Sequence, residues 1–136
     1  MIDLRPVFAI PFGLFFCNVG ILHFTDTSWF EPIVPSILGS ATFWVLISGI
    51  AEIVLGLGLI FPASREFSAK LTALFLILIY PANLNMWIND IELGDGASLS
   101  PEGHIIRLIA QITMILLNLW IARVTIDDLR YSSILS

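Results

Sequence analysis

Apolar residues in this chain run in blocks rather than alternating with polar ones, and four blocks are long enough to cross a bilayer. They lie at about 6–24, 42–62, 68–89 and 104–124. About 20 helical residues span the roughly 30 Å of a hydrocarbon core. Uninterrupted apolarity over that length predicts transmembrane α-helices, because only a helix satisfies its own backbone polar groups in lipid. The expected fold is an all-α membrane protein, an antiparallel four-transmembrane-helix bundle forming a single domain over 1–136.

The ends of the blocks carry stop and start signals. Thr25, Asp26 and Thr27 close the first span, and Pro32 and Pro35 keep the following loop from continuing it. That loop holds Trp29, Phe30 and an apolar run from Ile33 to Leu38, which suits the membrane interface. Phe61 and Pro62 end the second span, and Ser64 is placed to cap the third. Pro81 predicts a kink within the third span. Ser100 before Pro101 predicts a capped start to the fourth, after the polar loop GDGASLSPEGH. The tail from Asp127 to Ser136 reads as a short, frayed end.

Composition agrees with a membrane location. Of 136 residues 57% are hydrophobic and 12% charged, against about 25% charged in soluble domains. The mean hydropathy is +0.94. The first span is longer and more uniform than the core of a secretory leader and lacks a small-x-small cleavage site, so it is expected to stay as a helix.

Charge then orients the spans. The segments 24–41 and 90–103 carry Asp26, Glu31, Asp90, Glu92, Asp95 and Glu102 but no Lys or Arg. Arg5, Arg65, Lys70, Arg123 and Arg130 fall on the other side. The positive-inside rule therefore puts both termini and the 63–67 turn in the cytoplasm, with the chain in the plasma (inner) membrane. The net charge of −5 is mostly an acidic outer face, which excludes a nucleic-acid surface. A single cysteine, Cys17, excludes an internal disulfide or a C-x-x-C relay and reads as a small buried hydrophobe.

Against this apolar background a few polar side chains stand out: Glu52 in the second span, Asn83 in the third, and Arg107 and Gln111 in the fourth. A charge at mid-membrane costs about 3 kcal/mol on insertion scales, so such residues face a bundle interior and pair, or line a site. Helical spacing groups Ser48, Gly49, Glu52 and Gly56 on one face. His104, Arg107, Gln111, Met114 and Asn118 form a second stripe, Tyr80, Asn83 and Trp87 a third, and Gly13, Phe16, Gly20 and His23 a fourth, with Asn18 pointing elsewhere. At 1.5 Å per residue Glu52 lies about 15 Å from the outer side, Gln111 about 10 Å, Asn83 about 9 Å and Arg107 about 5 Å.

Four such faces turned inward would make a pocket open to the outside, with His23, Glu52, Asn83, Arg107 and Gln111 as its polar residues and an Arg107–Glu52 pair within reach. A plain reading is a polar clasp that fixes helix register. The chemical reading is a site for an anion, a lipid headgroup or a quinone carbonyl. His23 and His104 invite a bis-His haem, but both sit at span ends where an interfacial His is ordinary, so haem is disfavoured. No His, Asp and Glu cluster has metal-ligand spacing, and no phosphate loop or nucleophile–base set occurs.

In several segments the chain resembles the DoxX-like family of small four-helix integral membrane proteins. The segments are GILHF (20–24), FEPIVPSILG (30–39), SGIAEIVLGLGLIFPASR (48–65), YPANLNMW (80–87) and RLIAQ (107–111). Ile109 stands where that family's fourth-helix pattern has Pro. The resemblance implies a four-helix membrane protein with His23, Glu52, Asn83, Arg107 and Gln111 at recurring polar positions. Relatives include the small membrane subunit of an archaeal thiosulfate:quinone oxidoreductase, and others linked to methylamine utilisation or redox stress. Fold analogy does not carry chemistry.

Three functions fit: a quinone-linked oxidoreductase or its membrane subunit, a non-catalytic carrier of a lipid or small molecule, and an accessory subunit of a larger membrane complex. Beyond the lipid bilayer, the expected partners are membrane subunits or further copies of the chain. Whether it is an enzyme, the sequence leaves open.

Overall fold

The computed structural model describes residues 2–124, all helix, turn and loop. Five helices follow in order: α1 (Arg5–Thr25), α2 (Thr27–Phe30), α3 (Ala41–Ile60), α4 (Arg65–Ile88) and α5 (Pro101–Ile121). All but α2 are long and apolar enough to cross a membrane. They match the expected spans, with α4 and α5 each beginning three residues earlier than the apolar blocks. The tail expected over 127–136 lies outside the described residues.

Local chemistry explains most of these boundaries. Ser100 caps α5, its Oγ accepting from the Gly103 amide at 3.1 Å, with Pro101 in the first turn. Ser40 caps α3 in the same way, accepting from the Phe43 amide at 3.2 Å; Gly39, at φ +87°, makes the turn that leads into it. Ser64 departs from expectation. It occupies the position before α4, but its hydroxyl donates back to the Gly58 carbonyl at 2.8 Å and closes the end of α3 instead. Arg65 reinforces this closure by donating to the carbonyls of Leu59 and Ile60 at 2.9 and 2.8 Å. Helix α4 continues through Pro81 as one helix.

The 26–40 connection is more regular than its two prolines suggested. After α2 come two 3-10 turns, Glu31–Ile33 and Ser36–Leu38. Proline suits the first turn of such an element, where its missing N–H is not needed. This connection is tied to α3 by Thr42 donating to Glu31 (3.0 Å) and Trp44 to the Leu38 carbonyl (2.8 Å), and to α4 by Asn85 donating to the Ile33 carbonyl (2.9 Å).

Packing follows the small residues. Helix α1 lies against α3 with Gly13 opposite Gly56 and Gly20 opposite Gly49; a Cβ on Gly13 would stand 2.6 Å from the Gly56 carbonyl oxygen. In lipid, where apolar burial drives little association, such close backbone approach is a main source of helix affinity. Phe12, Phe16, Leu55, Leu59, Leu76 and Ile121 fill the core. Helix α4 packs on α3 and on α5. At the terminal end Arg123 bridges Asp3 (3.0 Å) and Glu66 (2.8 Å), and Arg5 donates to the Trp120 carbonyl at 3.0 Å. The Arg5 amide holds the Asp3 carboxyl below its ordinary value.

Candidate functional site

The five expected site residues fall into separate groups. His23 and Glu52 meet at the α1–α3 seam, where they are 8% and 5% exposed. His23 Nδ1 stands 2.7 Å from the Val19 carbonyl oxygen and 3.4 Å from Glu52 Oε2. A carbonyl only accepts, so Nδ1 carries a hydrogen directed at Val19, and the carboxylate receives only the edge of that group. Glu52 Oε2 is buried without a hydrogen-bond partner among the described residues, a costly state for a carboxyl oxygen. The seam admits the imidazole because Gly49 has no side chain; a Cβ there would stand 2.7 Å from His23 Cβ. Phe30 covers the imidazole, stacked at 4.0 Å and 16°.

Arg107 lies elsewhere. Its Nη1 stands 2.9 Å from Met86 Sδ, and among the described residues it has no carboxylate partner. The expected Arg107–Glu52 pair therefore does not form. The reason is the glycine seam: Gly49 and Gly56 turn the Glu52 face of α3 towards α1, while α5 packs on α4. Gln111 is buried and donates to the Leu76 carbonyl at 2.6 Å, clasping α5 to α4. Asn83 is half-buried and makes no side-chain hydrogen bond to another described residue.

Two residues of α4 that the helical stripe did not single out matter more than Asn83. Met86, fully buried, touches the Arg107 guanidinium, and Asn85 anchors the 26–40 connection. Both sit within the YPANLNMW segment, but polarity alone drew attention to its first asparagine.

A cleft of about 400 Å³ opens beside Arg107, lined by Trp29, Met86, Leu93, Leu99 and Ile106 among others. The 89–100 loop covers it. Gly94 donates its amide to the Trp29 carbonyl at 3.1 Å, and its missing side chain lets the loop rest on the Ser28–Trp29 backbone. The Ala97 amide donates to Asp95 Oδ1 at 3.0 Å and holds its carboxyl below the ordinary value. Next to the cleft, Trp87 stacks on buried His104 at 5.5 Å and 5°. Trp29 faces the cleft and packs edge-on against Phe30 at 4.8 Å, so this dipeptide joins the cleft to the His23–Glu52 group.

A second cleft of about 300 Å³ lies at the terminal end around Asp3, Arg5, Trp120 and Arg123. There both guanidiniums are engaged by carboxylates. Among the described residues no group of three or more His, Cys, Asp and Glu side chains is placed to hold a metal ion.

Residues 12–122 match the model of a family described as a domain of unknown function, DUF8561. The chain belongs to that family. The match takes in α1 from Phe12 onward, the other three long helices, both connections at the cleft end and all five candidate residues. Neither the curated proteins nor the solved structures contain a match to the chain.

Proposed function

We propose that this chain is a carrier or binding protein that holds a small amphiphilic molecule, within the membrane, in the cleft beside Arg107. The observation that carries the reading is the cleft itself. It is an open cleft of about 400 Å³, lined mostly by apolar side chains, with one half-buried guanidinium in its wall, within the size range of small-molecule sites. The ligand's hydrogen-bond-accepting end meets Arg107, and its apolar remainder lies against Leu93, Leu99 and Ile106.

The reading places the chain as an antiparallel four-helix bundle in the plasma (inner) membrane, both termini cytoplasmic. Support comes from the pairing of Gly13 with Gly56 and Gly20 with Gly49, and from the lack of Lys and Arg in 24–41 and 90–103. The cleft then opens outward.

A second reading is a quinone-linked redox subunit, which the resemblance to DoxX-like proteins suggests. The observation in its favour is the buried, unpartnered Glu52 oxygen beside His23, two groups able to exchange the protons that quinone chemistry requires. In that case Arg107 would donate to a quinone carbonyl.

Native mass spectrometry of protein extracted gently from its own membranes tests both. A single bound small molecule, lost in Arg107→Ala, is the expected result. A bound quinone would favour the redox reading. Stoichiometric partner subunits with an empty cleft would overturn the binding reading and make the chain an accessory subunit.

A further inference from the structure

Building on the binding reading, we infer that the cleft selects a single-chain amphiphile with a singly charged oxyanion head, such as a long-chain carboxylate. Three features of the cleft lead there. The first is the state of Arg107. The guanidiniums of Arg5 and Arg123 at the other end of the molecule each meet a carboxylate, whereas among the described residues the one hydrogen-bond acceptor of Arg107 is the Met86 thioether. A guanidinium offers five N–H donors in a fork that fits an oxyanion edge-on. A thioether is a weak acceptor and satisfies little of that capacity. An oxyanion would take up the free donors and neutralise a charge that lies largely out of water, where a neutral carbonyl would supply one acceptor and no charge.

The second feature is the surrounding charge. The segment covering the cleft carries Glu92, Asp95 and Glu102 and has no Lys or Arg between residues 89 and 106. The other titratable side chains nearby are Tyr80, close enough to act on Arg107, and His104, whose ring is stacked on Trp87. Among the residues lining the cleft Arg107 is the one charged side chain; a single guanidinium neutralises one negative charge on the ligand and leaves a second uncompensated. A dianionic phosphate monoester is therefore disfavoured.

Shape supplies the third. At roughly 30 Å³ for each small group, the cleft has room for about a dozen non-hydrogen atoms, enough for a head and part of one chain but not for a two-chain phospholipid. Ile106, one residue before Arg107, lines the cleft and is 66% exposed on the outer surface of α5. It marks a route by which the chain continues from the cleft into lipid.

The test uses the full-length protein in nanodiscs of zwitterionic lipid at pH 8, with tryptophan quenching by three probes of one chain length: 11-bromoundecanoate, 11-bromoundecanol and 11-bromoundecyl phosphate. Bromine quenches on contact, and loss of the quench in Trp29→Phe locates binding in the cleft. The carboxylate is expected to bind at least ten-fold more tightly than the alcohol and more tightly than the phosphate ester, and Arg107→Gln should erase the preference over the alcohol. The comparison within the wild-type protein decides the matter even if Arg107→Gln fails to fold.

Equal binding of alcohol and carboxylate, with the Trp29-dependent quench intact, would overturn the head-group inference and leave the binding reading standing. Tighter binding of the phosphate ester would overturn the single-charge assignment. Displacement of the carboxylate by 30 mol% phosphatidylglycerol would transfer the site to a bilayer phospholipid and overturn the single-chain assignment. No Trp29-dependent quench with any probe would overturn the binding reading itself.

Discussion

Gly49 determines where His23 can sit, and through it how Glu52 is met. A methyl group there would stand 2.7 Å from His23 Cβ and 3.0 Å from the Gly20 carbonyl oxygen, atoms too close to the backbone to move cheaply. Gly49→Ala should destabilise the protein by about 1–3 kcal/mol, the usual range for overpacking, read as a lower unfolding midpoint in detergent micelles. Asp95 gives a prediction of another kind. Its carboxyl is held below the ordinary value of 3.8, so the contribution it makes to loop order is present at neutral pH and lost as the pH falls through that lowered value. Trp29 emission should change over that acid range, and Asp95→Ala should abolish the transition. A transition centred near pH 6 would point to a different group.

At the scale of elements, the α4–α5 contact rests on a side-chain clasp where α1–α3 rests on close backbone approach. Gln111→Leu removes the donor to the Leu76 carbonyl and is expected to cost about 0.5–1.5 kcal/mol, measured by the same unfolding assay. Helical spacing made the faces of α1, α3 and α5 legible: Gly13, Phe16, Gly20 and His23 are all buried, as are Glu52, His104, Gln111 and Asn118. It failed on α4, where Tyr80, Asn83 and Trp87 are only half-buried while Met86 is fully buried. A stripe of polar residues shows which side of a helix is unusual but not which neighbour that side meets. The Arg107–Glu52 pair was lost for this reason, since partner choice depends on where backbones approach closely. The Ser100 cap could be read locally, whereas the reversed hydroxyl of Ser64 depends on the geometry of the α3 end, which residue type does not encode.

For the whole molecule, topology is the property most open to a direct check. With Cys17 replaced by Ala, single cysteines at Ala63 and Ala97, both exposed, should differ in labelling by an impermeant maleimide on intact cells. Position 97 is expected to react and position 63 only after permeabilisation. The reverse pattern would invert the chain and place the cleft in the cytoplasm.

The glycine seam also bears on how the chain is made. His23 and Glu52 are the buried titratable side chains of the first two long helices, and they are seated against each other across the pair that emerges first from the ribosome. Arg107 and Gln111 come last, onto an α4 already waiting with Met86 and the Leu76 carbonyl. The protein is thus ordered so that each half supplies contacts for its own awkward residues. If the four long helices are membrane spans as proposed, biogenesis can proceed as two successive hairpin insertions, with the 26–40 connection, held to α4 through Asn85, fastening the halves together once both have arrived.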